Sequence, residues 1–243
     1  MERIKMGPIE LSRVIQGYWR LTSWDWSPEK LADHMNACVE NGVTTFDTAA
    51  VYGGGECERQ MGKALAFDPT LRSRIELVTK VGIVPKGENA AFSHYNTTYD
   101  HVMRACRDCL ERLGTDYVDL LLIHREDPCL DPAECGRALK DLQAEGLIRA
   151  YGVSNFDPWK FQALNQATGQ SLVTNQIECS PLCFEHFDSG MMDLLTGTGI
   201  HPMIWSPLAG GRLFTGSDEA CVKVRGVLKE LAEQYGTTES AIV

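Results

Sequence analysis

Three observations make a parallel α/β barrel the fold class that the sequence predicts. Short β-branched runs alternate with segments of helical period, the runs start about 31 residues apart, and the 243-residue chain has roughly the length of one such barrel. That spacing holds one strand, one helix and two loops, so successive strands return in the same direction.

The elements follow in order. Arg3 to Met6 and Ile9 to Ser12 flank the turn signal Gly7-Pro8 and predict an N-terminal β-hairpin. Parallel strands are predicted at 14–17, 43–47, 75–80, 117–124, 148–153, 172–177 and 202–205. Between them, Leu31, Met35, Cys38 and Val39 form one apolar helical stripe, Cys135, Ala138, Leu139 and Leu142 a second, and Val224, Val227, Leu228 and Leu231 a third. No Pro/Ser-rich linker or change of composition divides the chain, so residues 1–243 are expected to form a single barrel domain. A doubly wound sheet would need G-x-G-x-x-G after an early strand; Gly53, Gly54 and Gly55 follow the second strand without that spacing. There is no Walker A, H-E-x-x-H or G-x-S-x-G motif either.

Composition narrows the function. With 23 Lys plus Arg against 33 Asp plus Glu, the net charge is −10, which disfavours a broad electrostatic grip on nucleic acid or an anionic membrane. No apolar run reaches the length of a membrane span and residues 1–12 are too polar for a signal peptide, so the chain reads as cytoplasmic. Nine cysteines are an odd number. The one C-x-x-C, Cys106 and Cys109, lies in a stripe with Val102, Ala105, Leu110 and Leu113 and reads as buried thiols. No spacing suits a metal.

In a parallel barrel the carboxyl ends of the strands surround the mouth where chemistry is done. Those ends carry Asp47, Lys80, His124, Ser154-Asn155, then Asn175, Gln176 and Glu178, and Trp205-Ser206. Singly, such an Asp is a helix cap, such a Lys is solvated and such a His is structural. An acid, a Lys and a His at the same end of adjacent strands would instead converge.

The run FDTAAVYG, Phe46 to Gly53, followed by Glu56 and Gly62, resembles the second-strand motif of the aldo-keto reductases. VTK ending at Lys80, LLLIH ending at His124, GVSNF at 152–156, NQIECSP at 175–181 and WSPLAGGRLF at 205–214 follow in family order. The resemblance covers essentially the whole chain and is nearest to short bacterial NADP-dependent oxidoreductases. It implies a (β/α)8 TIM-type barrel that reduces aldehydes or ketones to alcohols, with a catalytic tetrad of Asp47, Tyr52, Lys80 and His124.

Physical chemistry supports those roles. Carbonyl reduction needs a proton at oxygen, which Tyr52 can supply as general acid. A Lys80 ammonium beside its oxygen is expected to pull the phenol below its ordinary pKa of about 10. Asp47 would neutralise Lys80, and His124 would orient the carbonyl. The hydride must come from a nicotinamide cofactor, because no side chain can donate one. By resemblance, Ser154, Asn155 and Gln176 bond the nicotinamide carboxamide and Trp205 stacks on the ring. Ser206, Pro207, Leu208, Gly210, Gly211 and Arg212 then belong to the loop around the pyrophosphate. Tyr18 and Trp19 are candidate substrate contacts. With Trp24 and Trp26 they line either a carbonyl pocket or a packed loop cluster.

The sequence departs from the family after Trp205, where no eighth strand and no 2′-phosphate motif can be read. The expectation is a C-terminally truncated reductase that takes NADP, with NAD possible, and a small carbonyl substrate; oligomeric state is unread. The alternatives are a cofactor-binding regulatory module, an inactive remnant of the fold, or a Schiff-base aldolase working through Lys80.

Overall fold

The chain starts with the expected hairpin, β1 (Arg3–Met6) and β2 (Ile9–Ser12), antiparallel with Arg3 opposite Ser12. The computed structural model describes residues 1–87 and 90–243, in two compact units, Met1–Thr174 and Asn175–Val243.

After the hairpin the first unit alternates strands and helices as the sequence dictates. β3 (Ile15–Gly17), α1 (Pro28–Glu40), β4 (Thr45–Asp47), α2 (Glu56–Phe67) and β5 (Glu76–Val81) come first. A short antiparallel pair follows, β6 (Ile83–Val84) with β7 (His94–Tyr95). Then come α3 (Tyr99–Leu113), β8 (Val118–Ile123), α4 (Pro132–Ala144), β9 (Ile148–Ser154) and α5 (Pro158–Ala167). The strands pair in parallel in the order β3-β4-β5-β8-β9. β8 is buried along its whole length, as expected for a strand covered on both faces.

Local chemistry starts the helices. Ser27, Asp131 and Asp157 each accept a hydrogen bond from a first-turn amide and are each followed by proline, so α1, α4 and α5 share one cap-then-proline start. At the amino ends of the strands, Asp119 accepts from Arg72 at 3.0 Å and from the Leu77 amide at 2.9 Å. The Tyr117 ring lies between the Arg72 and Arg149 guanidinium groups at 4.0 and 4.2 Å. That end is tied down, which leaves the carboxyl ends for chemistry.

In the second unit β10 (Asn175–Glu178) and β11 (Met203–Trp205) pair in parallel, with Gln176 opposite Met203. Between them lie α6 (Glu185–Asp188) and α7 (Met191–Thr198); after them come α8 (Arg212–Thr215), α9 (Glu219–Tyr235) and α10 (Glu239–Ile242).

Two expectations shift in detail. The strand expected at 172–177 begins only at Asn175, although Leu172, Val173 and Thr174 are buried and Val173 donates to the Tyr151 carbonyl at 3.1 Å. In α9 the buried side is Cys221, Leu228 and Ala232, while Val227 is exposed. The C-x-x-C thiols of α3 are buried, and burial pushes the Cys106 thiol up to about 12, which makes it an inert core group.

Candidate active site

Asp47 ends β4 and Lys80 lies one residue before the end of β5, strands that are paired in parallel. Lys80 is 1% exposed, and its ammonium has three donors, all engaged. It donates to Asp47 Oδ1 at 2.6 Å, to the Thr48 carbonyl at 2.7 Å and to Tyr52 Oη at 3.3 Å. Burial opposes the charge on Lys80, but Asp47 and Tyr52 outweigh it and hold the ammonium above its ordinary value. An amine that is buried, charged and triply bonded has no lone pair with which to form an imine, which argues against the aldolase alternative.

Tyr52 opens a 3-10 turn over Tyr52–Gly55, and its ring meets the His124 ring nearly edge to face at 5.6 Å. An ammonium can only donate, so the phenol oxygen accepts from Lys80 and its own hydrogen is left to be aimed elsewhere. Contrary to the sequence expectation, Tyr52 is held above the ordinary phenol value rather than below it. Burial is the main cause. Lys80 pulls downward, but its charge is already matched by Asp47, whose carboxylate adds to the rise. The phenol therefore carries its proton throughout the neutral range.

His124 follows β8 directly. Burial, together with the Lys80 and Arg125 charges, pushes its pKa down to about 3, so the imidazole is neutral near pH 7. Its Nδ1 is buried and has no hydrogen-bond partner among the described residues. Ser154 ends β9, and Asn155 follows it with a left-handed backbone (φ 58°). That conformation brings Asn155 Nδ2 to Ser154 Oγ at 2.8 Å and to the His124 carbonyl at 3.3 Å. The carboxyl ends of β4, β5, β8 and β9 thus bring together Asp47, Tyr52, Lys80 and His124, with Asn155 bonded beside them.

The other expected residues are placed as follows. Tyr18 is fully buried, stacked on Phe46 at 5.9 Å and edge-on to Trp24 at 5.8 Å, so the loop aromatics form a packed cluster. Trp19 is exposed, with the Arg20 guanidinium over its ring at 5.1 Å. In the second unit Gln176 is buried on β10 and Trp205 is half-buried at the end of β11. The segment that follows contains Ser206, Pro207 and Leu208, and Ser206, Ala209, Gly210 and Gly211 all have left-handed backbones. A Cβ at Gly211 would meet nothing within 4 Å, and Arg212 lies 3.9 Å from Asp218.

In the first unit the His124 Nδ1, buried without a hydrogen-bond partner among the described residues, fits a carbonyl or carboxamide group such as a nicotinamide carries.

Sequence reading missed Glu58, Thr79 and Arg112, which form a second buried polar cluster. Glu58 accepts from Thr79 Oγ1 at 2.5 Å and from Arg112 Nε at 2.6 Å. The acid singled out from the sequence, Glu56, is on the surface 3.8 Å from Lys63. A signal for Glu58 existed, since it shares the buried side of α2 with Met61 and Leu65, where an apolar residue is the norm.

The aldo/keto reductase family model matches residues 13–242. The chain belongs to that family. It is 42% identical to the uncharacterized oxidoreductase YcsN of Bacillus subtilis, over 97% of this chain and 80% of that one. It is 42% identical to a 6-dehydroglucose reductase of Agrobacterium fabrum, over 100% and 82% of the two chains. Among solved structures, a glycerol dehydrogenase from Gluconobacter oxydans shares the fold at a TM-score of 0.85 and 24% identity, over 99% of this chain and 80% of that one. The thermostable aldo-keto reductase Tm1743 reaches 0.83 at 27% identity, over 100% and 84%. This reductase-family chain is therefore an oxidoreductase with a parallel α/β barrel-type fold. Among its described residues no helix is long and apolar enough to cross a membrane.

Proposed function

We propose that this protein reduces aldehydes or ketones to alcohols with Tyr52 as the proton donor. The observation that carries the reading is the triply bonded Lys80 ammonium, which fixes the Tyr52 oxygen as an acceptor and so turns the phenol hydrogen toward a substrate. When bound, a nicotinamide cofactor supplies the hydride, with NADPH the cofactor to test first and NADH beside it.

The chain's own residues divide the remaining work. Tyr52 holds the proton at Oη and passes it to the carbonyl oxygen as charge develops there. Lys80 stabilises the phenolate that results, and Asp47 keeps the ammonium charged and in place. Neutral His124 offers a ring N–H or lone pair to orient the substrate oxygen. Ser154 and Asn155, and in the second unit Gln176, Trp205 and residues 206–208 and 210–212, are the proposed cofactor contacts. Trp19 is the exposed aromatic left for substrate, since Tyr18 is enclosed by its neighbours.

The test is NADPH or NADH oxidation in the presence of an aromatic aldehyde, with 6-dehydroglucose, named for the Agrobacterium relative, as a second carbonyl compound. Oxidation matched one-to-one by alcohol supports the reading. Quenching of Trp205 fluorescence by cofactor without turnover would point to a binding module, and a borohydride-trapped adduct on Lys80 to an aldolase.

A further inference from the structure

The tyrosine of the proposed reaction sits at the head of a run of glycines. Tyr52 is followed by three successive left-handed glycines, Gly53 (φ 58°), Gly54 (φ 64°) and Gly55 (φ 90°). Without Cβ atoms such a run has many conformations within reach, so it does not fix the phenol by its own stiffness. Something else must hold Tyr52 Oη at 3.3 Å from Lys80 Nζ.

The segment is held at both ends on one strand. Upstream, the Thr48 amide donates to the Val78 carbonyl at 2.9 Å and the Ala50 amide to the Lys80 carbonyl at 3.0 Å. Downstream, α2 begins at Glu56, and its buried Glu58 accepts from the Thr79 hydroxyl at 2.5 Å. Thr79 is the residue before Lys80. Successive strand residues point to opposite faces, so one strand carries Lys80 toward Asp47 and Thr79 toward α2. The anchors of the tyrosine segment thus end on Val78, Thr79 and Lys80, three successive residues of β5.

The acid itself is held from behind. Arg112 on α3 pairs with Glu58 at 2.6 Å, and α2 lies so close to α3 that a Cβ at Gly62 would come within 2.4 Å of the Arg112 carbonyl oxygen. Such close approach leaves the first turns of α2 little room to slide. We propose that Glu58, through its bond to the Thr79 hydroxyl, is a positioning residue that fixes the distance between the Tyr52 hydroxyl and the Lys80 ammonium. The inference rests on Tyr52 being the proton donor.

Two substitutions at one position test it. Thr79→Val keeps the shape and removes the hydroxyl; Thr79→Ser keeps the hydroxyl and removes a methyl group. In carbonyl reduction with NADPH, Thr79→Val is expected to lower kcat at least about tenfold, a fraction of what a general acid contributes, with KM for NADPH unchanged, and Thr79→Ser to restore kcat. Amide hydrogen exchange over residues 51–58 should quicken in the valine variant and not in the serine variant. A valine variant with wild-type kcat, or a serine variant as slow as valine, overturns the proposal. If Thr79→Val does not fold, Glu58→Asp replaces it. Asp keeps the charge for Arg112 but withdraws the carboxylate from Thr79, so the same kcat loss at constant KM is expected and an undiminished kcat overturns the proposal. Tyr52→Phe run alongside separates the two readings. If it turns over like wild type, the proton donor is wrong and this inference falls with it; if it is slow while Thr79→Val is not, only the positioning role falls.

Discussion

Thr79 and Lys80 are neighbours on β5, and each is bonded to a buried acid of a different kind. On one face Glu58 is shared between Thr79 and Arg112, and its partners come from a strand and a helix that it ties to its own helix. On the other face Asp47 holds Lys80, whose third donor reaches a phenol oxygen that keeps a hydrogen of its own. The Glu58 cluster ends in structural partners. The Asp47 cluster ends in a group able to act on something else. Burial and charge pairing are common to both; what sets the second apart is the Tyr52 hydroxyl, which accepts from Lys80 and is the proposed proton donor.

The largest effects should come from breaking either pair. Arg112→Leu removes the guanidinium partner of the buried Glu58 carboxylate, and Lys80→Met removes the ammonium partner of Asp47. Each is expected to cost about 3–5 kcal/mol of stability in denaturant unfolding. Only in Lys80→Met is the neighbour of the proposed proton donor, Tyr52, lost. Equal stability in either variant and the wild type would contradict the burial argument.

Next in size is the effect of acid. The unfolded chain protonates His124 near its ordinary value of 6.5, whereas the folded chain resists until about pH 3. The stability this confers is complete above about pH 6.5 and is lost as pH falls through that window toward 3. Melting temperature should drop across it, and His124→Gln should flatten the drop. At the alkaline end the sign reverses. Lys80 and Tyr52 keep their protons past their ordinary values of 10.5 and 10.0, so their contribution is lost as pH rises beyond those values.

The smallest effect belongs to a pair in water. Arg107 and Glu145 lie 2.7 Å apart but are about half exposed, and Arg107→Ala should shift unfolding by less than about 1 kcal/mol. A loss as large as that of Arg112→Leu would erase the distinction between buried and exposed pairs.

Much of this was legible in the sequence. The alternation of strand and helix gave the order of elements, and the strand ends gave Asp47, Lys80 and His124, because an apolar run that stops at a polar residue marks both a boundary and a mouth. Glu58 was hidden, because an acid in a helix reads as solvated unless the buried partner Arg112, 54 residues away, is known. The ionisation of Tyr52 was hidden for a related reason. Its direction depends on burial competing with Lys80, and on Asp47 having already taken up the ammonium charge, quantities that exist only once the chain is folded. By position Tyr18 read as either a carbonyl-pocket residue or part of a packed loop cluster, and its stacking on Phe46 is a packing contact that exists only once the chain is folded.

The most direct measurement is the turnover of Tyr52→Phe with NADPH and an aromatic aldehyde, taken with its melting temperature. Removing one hydroxyl should lower kcat at least about 100-fold while the protein melts within a few degrees of the wild type. Wild-type turnover in a folded Tyr52→Phe variant would contradict the claim that this phenol is the proton donor.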